Sequence, residues 1–187
     1  SDDAINRYNN SLDNWERTKG YNIVEKEELV SIASYYDTTI NILNYLLQLN
    51  HETSLNRKKE NERFLTESGI NFDDDNKRVA LKYIFVNSNA MLIYGAAGTG
   101  KTTLIKYISN MFADARKLYL TKTHTALQNV KRYLDNKSNN CDFEIIDSIT
   151  RSNLSVNYDI IFVDECSTID NRTMALLLGK ISREVLL

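Results

Sequence analysis

The sequence predicts an α/β protein, a parallel sheet flanked by helices and preceded by a small helical segment. Three observations predict it. From residue 71 onward, helical and strand-like stretches alternate along the chain. The strand-like stretches are apolar throughout, where a half-exposed strand would alternate, so the sheet is covered on both faces. A glycine-rich loop, Gly95-Ala96-Ala97-Gly98-Thr99-Gly100-Lys101-Thr102, joins one such strand to a helix.

The bulk numbers bound the possibilities. A chain of 187 residues, 42% apolar and 26% charged, supports one packed core with an appendage. A net charge of -2 and a pI near 5.7 weigh against a histone-like basic binder and leave room for a local basic patch. No apolar run approaches the roughly 20 residues a membrane helix needs, so no membrane partner is expected. The opening SDDAINRYNN carries no secretory signal. Cys141 and Cys166 have neither metal spacing nor a disulfide framework, which points to a reducing, cytoplasmic setting. Proline is absent and asparagine occurs 22 times, a pairing read as base-composition bias. With no Gly/Ser-rich or Pro-rich tract, no flexible linker announces itself.

The segment 1–70 reads as helical. Ala4–Arg17 carries Ile5, Tyr8, Leu12 and Trp15 as a first candidate helix. Between Glu27 and Asn50, apolar residues recur at Ile32, Tyr36, Ile40, Leu43 and Leu47. Those steps predict a helix with that stripe as its packing face. Leu55–Ser68, rich in Lys, Arg and Glu, predicts a solvated helix ending near Gly69. His51 has no ligand partner in the sequence and is expected at the surface. The segment reads as a packing or linking unit.

The second unit, 71–187, alternates. Asp73–Asp75 can cap a helix running to Asn87, with Val79, Tyr83 and Val86 on one face. A strand at Met91–Tyr94, a helix at Thr102–Phe112 and a strand at Leu118–Thr121 follow. His124–Leu134 is a helix with Leu127, Val130 and Leu134 on one stripe. Phe143–Ile146 and Asp159–Asp164 read as strands, and Asn171–Ile181 as a helix burying Met174, Leu177, Leu178 and Ile181. Glu184–Leu187 begins one more strand.

The glycine-rich loop is a full G-x-x-x-x-G-K-[ST] match in a strand–loop–helix context. Its glycines let successive backbone N–H groups turn inward toward phosphate oxygens. The following helix, which Thr103 continues, adds the positive end of its dipole. In this reading Lys101 reaches the β- and γ-phosphates and Thr102 places its hydroxyl on Mg²⁺. The second half is Asp159-Ile-Ile-Phe-Val-Asp164-Glu165. A buried strand delivers Asp164 at its carboxyl end, where open α/β sheets bind ligands. Asp164 is the second metal residue, and Glu165 can polarise the water that attacks the γ-phosphate. A kinase would transfer to a bound hydroxyl, so the adjacent Glu favours hydrolysis. There is no Asn-Lys-x-Asp run for guanine, so ATP with Mg²⁺ is the expected pair.

Gly95–Thr102 together with Asp164-Glu165-Cys166-Ser167 resembles superfamily 1 DNA helicases of the broad UvrD and RecD kind. These carry D-E-A-S-like second motifs, here with Cys166 in the third position. The following Thr168-Ile-Asp-Asn171, with Met174 and the leucines behind it, is also similar to that family. Thr121-Lys-Thr-His-Thr-Ala-Leu127 resembles the family's motif Ia, with His124 where Asn is common. Ile146-Asp147-Ser148-Ile149 resembles its Thr-x-His-Ser segment, with Asp147 in the His position. The resemblance covers about residues 72–187 and implies a P-loop NTPase, RecA-like sheet. It also implies an adenine contact, here from Asn76 where the family has Gln, and a DNA path lined by Thr123, His124 and Ser148. Lys122, Lys131 and Arg132 lie nearby, and as individual side chains the lysines read first as solvation of a helix face.

The expected whole is the ATP-binding motor domain of a helicase, 71–187, ending before the family's third motif. Its expected partners are single-stranded or duplex DNA and a C-terminal RecA-like domain of the same chain. The final strand is expected to insert between the P-loop strand and the Asp164 strand. On its own the fragment is expected to bind nucleotide weakly and turn it over negligibly, since the transition-state arginine belongs to the partner domain. Two other readings share the P-loop: an AAA+-type loader or remodeller, and a nucleotide-dependent switch without catalysis.

Overall fold

The structure is a computed structural model, and it describes residues 2–26, 29–49, 57–71, 75–96, 98–134, 140–152, 157–181 and 184–186. The first expected helix is two. Helix α1 (Asp2–Ser11) ends, and α2 (Asn14–Thr18) restarts at a capping box. Asp13 Oδ1 accepts from Glu16 N at 2.7 Å, and Glu16 Oε2 accepts from Asp13 N at 2.9 Å. That reciprocal pair satisfies two amides a continuous helix would have used otherwise. The next expectation also needs correcting at its start. Strands β1 (Ile23–Lys26) and β2 (Leu29–Ile32) form an antiparallel hairpin with Ile23 opposite Ile32, and α3 begins only at Ala33 and runs to Leu49.

Helix α3 has two apolar stripes, and the one read from the sequence faces outward. Ile42, Tyr45, Leu46 and Leu49 pack against the sheet core, while Leu43 and Leu47 remain 49% and 58% exposed. Helix α4 (Arg57–Glu67) is followed by Gly69 at φ 61°, the left-handed residue expected after a helix end. Its Asn61 is fully buried, and Nδ2 donates to the carbonyls of Lys82 and Ile84 at 3.2 and 2.9 Å. Those carbonyls lie at and just beyond the end of α5 (Asp75–Tyr83), which stops before Asn87. The buried side of this stretch is Leu81, Ile84 and Phe85, and Val79 and Tyr83 are exposed, reversing the face expected from periodicity. Residues 50–56, with His51, and 72–74, with Asp73, lie outside the described residues.

The remaining elements alternate as expected: β3 (Ala90–Met91), α6 (Lys101–Met111), β4 (Lys117–Thr121), α7 (His124–Tyr133), β5 (Cys141–Ile145), α8 (Ile146–Arg151), β6 (Ile160–Val163), α9 (Asn171–Leu178) and β7 (Glu184–Leu186). Two elements here were unforeseen, α8, a six-residue helix too short to show periodicity, and a single 3-10 turn at Cys166–Thr168. The five strands β3 to β7 make one sheet in the order β3-β7-β6-β4-β5, every pairing parallel. The last strand does insert between β3 and β6. Strand β3 is shorter than expected, because it pairs only as far as Met91 with Leu186, and Leu187 lies outside the described residues.

Strands β4 and β6 are buried at every position, as continuous apolar runs in a two-faced sheet should be. Leu118, Leu120, Ile161 and Val163 face one side with Met174, Leu177 and Leu178 of α9. Tyr119, Ile160 and Phe162 face the other with Leu104 and Ile108 of α6. Across the second face, Tyr119 stacks between Phe143 and Phe162, ring centroids 5.1 and 4.5 Å away. Lys117, inside β4, is fully buried. Its Nζ donates to the carbonyls of Phe112, Ala113 and Ala115 at 2.6, 3.2 and 2.9 Å, closing the chain just beyond α6. Burial pushes that ammonium pKa down. Helix α3 reaches the same body: Asn171 Nδ2 donates to Thr39 Oγ1 at 3.2 Å. Among the described residues, no helix is long and apolar enough to cross a membrane.

Candidate active site

All four segments singled out from the sequence meet at the carboxyl edge of the parallel sheet. The loop after β3 turns through two left-handed glycines, Gly98 at φ 79° and Gly100 at φ 81°, a conformation that strains any residue with a Cβ. Gly100 is the N-cap of α6, so Lys101 and Thr102 open the helix and its unpaired amides face the loop. Lys101 Nζ donates to the carbonyls of Gly95 and Ala96 at 2.7 and 2.9 Å, folding the loop around its own ammonium. Thr99 Oγ1 donates to Ala96 O at 2.9 Å, and a Cβ at Gly95 would come within 2.8 Å of that hydroxyl. Ala97 lies outside the described residues.

Strand β6 delivers Asp164, half-buried, with its N–H donating to Leu120 O at 2.9 Å. Glu165 follows at φ 53°, in the left-handed region that non-glycine residues avoid. A turn holds it there. Glu165 N donates to Asp164 Oδ1 at 3.0 Å, and the Glu165 carbonyl accepts from Thr168 N and Oγ1, both at 2.9 Å. The carboxylate is left exposed, a strained backbone serving the position of a side chain.

The loop and the acidic pair share one cleft of about 650 Å³, lined by Tyr94, Gly95, Lys101, Asp164, Glu165 and Cys166 among others. Thr102 and Asp164 also line one small cavity beside Tyr119. A hydroxyl and a carboxylate are hard oxygen donors, and so few of them suit a cation that keeps waters and takes phosphate oxygens. The donor set therefore fits Mg²⁺. Among the described residues, no group of three His, Cys, Asp or Glu side chains is placed to hold a metal ion. Cys166 is a free, half-buried thiol whose pKa burial pushes up. That suits a packing residue better than a nucleophile.

The other expected residues fall nearby or along the same edge. Thr103 Oγ1 shares a hydrogen bond with Tyr133 OH at 2.8 Å, tying α6 to α7. Asn76 is exposed in the first turn of α5. Its neighbour Lys77 is a residue that sequence reasoning missed. Lys77 Nζ lies 2.9 Å from where a Cβ at Gly100 would sit, so the start of α5 abuts the loop. No motif marks that lysine.

Thr123 caps α7, its Oγ1 accepting from Ala126 N at 3.2 Å, and His124 is exposed as the first residue of that helix. Ser148 is exposed in α8. Strand register pairs Thr121 with Ile145, so the segments carrying Thr123, His124 and Ser148 leave the sheet side by side. Two nearby cations are engaged within the fold. Lys122 Nζ donates to Thr168 O, and Lys131 Nζ sits 5.5 Å from the Phe143 ring centroid.

A family model described as an AAA domain matches residues 78–187, more than half of the chain. It is a P-loop NTPase-type domain found in UvrD- and Rep-like helicases, and P-loop ATPases generally use ATP and Mg²⁺. No curated protein matches the chain.

Proposed function

The chain belongs to the AAA domain family, P-loop NTPases, and from that premise we propose that it is the ATP-binding and hydrolysing motor domain of a DNA helicase. One observation carries this reading: Lys101 and the Asp164-Glu165 pair line a single cleft at the carboxyl edge of the sheet. In it, the amides of Gly98, Thr99 and Gly100 and the Lys101 ammonium bind the polyphosphate. Thr102 and Asp164 hold Mg²⁺, which when bound neutralises charge developing on the phosphate oxygens. Glu165 orients and deprotonates the attacking water, a role for which its exposed carboxylate is free to reach substrate. Thr103 and Asn76 complete the nucleotide contacts.

The helicase half of the reading is supported by the motif order and by the common edge that carries Thr123, His124 and Ser148. Hydroxyl and amide donors at that edge suit the phosphates of one DNA strand. Thr103 and Tyr133 provide a direct link between the nucleotide helix and α7, which Thr123 caps.

Fluorescent-nucleotide titration tests the ATP half. Binding should require Mg²⁺ and weaken at least about tenfold in Lys101→Ala, the loss of a charge-assisted contact. Glu165→Gln should keep that affinity. In a protein that pairs this domain with a second RecA-like domain, it should also lower strand-stimulated ATPase by about 10²- to 10⁴-fold. Single-stranded oligonucleotide anisotropy tests the other half, with Thr123→Ala and Ser148→Ala expected to weaken binding. A folded chain that binds nucleotide and no DNA, with turnover indifferent to DNA, would leave the ATPase and remove the helicase.

A further inference from the structure

We infer that Lys77 is a second cation of the nucleotide site, binding the polyphosphate alongside Lys101. The inference rests on the ATP-binding reading and adds a residue, next to Asn76 in the sequence, to which no motif assigns a role. Lys77 belongs to α5, a helix separate from the loop, yet its Nζ and Cε reach 2.9 and 3.0 Å from the Cβ position of Gly100. Gly100 is the N-cap of α6. Its lack of a side chain therefore does two things: it permits φ 81°, and it makes room for the end of a lysine from another helix.

The electrostatics of that meeting favour an anion. The first turn of α6 presents the positive end of the helix dipole. Lys101 Nζ is bonded to the carbonyls of Gly95 and Ala96, on the same loop. Lys77 brings a second ammonium to it. A phosphate held at this loop would meet both ammonium groups and the helix N-terminus. Lys77 is half-buried, so its field is less screened than that of a surface lysine. Its flexible stem lets the ammonium shift toward a phosphate by a change of rotamer. A lysine reads charge and ignores the base, so its contribution should grow with the number of phosphates.

The test measures binding of adenosine, AMP, ADP and ATP, and of inorganic tripolyphosphate by competition, to the wild-type chain and to Lys77→Gln, Lys77→Arg and Lys101→Ala. Thermal melting of each variant reports folding. Lys77→Gln should weaken ATP and tripolyphosphate about tenfold, ADP less, and adenosine not at all, with Lys77→Arg near wild type. The salt dependence of ATP binding should flatten in Lys77→Gln. A lysine that only props the loop would lower the melting temperature and shift all ligands alike, and that result overturns the inference. So does wild-type ATP affinity in Lys77→Gln while Lys101→Ala loses it, a pattern that leaves the ATP site itself intact. If the wild-type chain binds neither ATP nor tripolyphosphate, the ATP-site reading falls and the role of Lys77 falls with it.

Discussion

Strand β6 and helix α3 are both rich in apolar residues, and they meet opposite fates. In β6 every side chain from Ile160 to Val163 is buried, two toward α9 and two toward α6. In α3 one stripe packs on the sheet core and a second, with Ile40, Leu43 and Leu47, stays exposed. A strand in the middle of a parallel sheet has no outer face, so apolar content alone decides its place. A helix on the surface has one inner face, and apolar content on both sides leaves the choice to its neighbours. Here Leu177 and Leu178 of α9 take the stripe with Tyr45 and Leu46.

The contrast can be broken at three points. The largest effect is expected at Leu177→Ala, fully buried where α9 meets the sheet. Chemical denaturation should show a loss of about 2–5 kcal/mol, the range for a large-to-small change in a packed core. Next is Asp170→Ala, which removes the N-cap of α9, where Asp170 Oδ1 accepts from Thr173 N at 2.9 Å. A loss of about 1 kcal/mol is expected at neutral pH, with Asp170→Asn nearly neutral. That bond holds the Asp170 carboxyl below its usual pKa. The folded value is depressed, so the stabilisation is full above the unfolded pKa of about 3.9 and fades as pH falls through the folded value. The gap between wild type and Asp170→Ala should therefore close in acid. The smallest effect is expected at Leu47→Gln, within about 0.5 kcal/mol. A loss near that of Leu177→Ala would mean that the outer stripe of α3 is covered in solution, and the contrast would vanish.

The legible parts of the molecule were those with a single physical solution. The buried strands and the loop whose glycines must reach positive φ were readable from residue types alone, while the order that inserts β7 beside β3 was implied by the family resemblance. The residues proposed to bind nucleotide follow from the same loop. The missed parts had several solutions. The hairpin β1–β2 carries Glu25 and Lys26 at its turn end, with no Asn-Gly or Asp-Gly to announce it. The break after α1 did have a signal, Asp13 three residues before Glu16, the pattern of a capping box. The outward stripe of α3 and the buried side of α5 depend on which neighbour arrives, which periodicity does not encode. Lys77 meets Gly100 only because α5 and α6 fold side by side.

The place of β7 in the sheet has a consequence for how the protein comes to exist. A ribosome makes β3 and the phosphate loop early, then β4, β5 and β6, and β7 after them. Among the described strands, β3 is hydrogen-bonded to β7 alone. The nascent chain therefore emerges with β4, β5 and β6 able to pair while β3 waits without a partner. The two halves of the cleft are joined through β7, so the site closes only once that strand has been made. A ligand that bridges Lys101 and Asp164 would then act on a newborn chain as a latch, favouring the arrangement in which that strand has arrived.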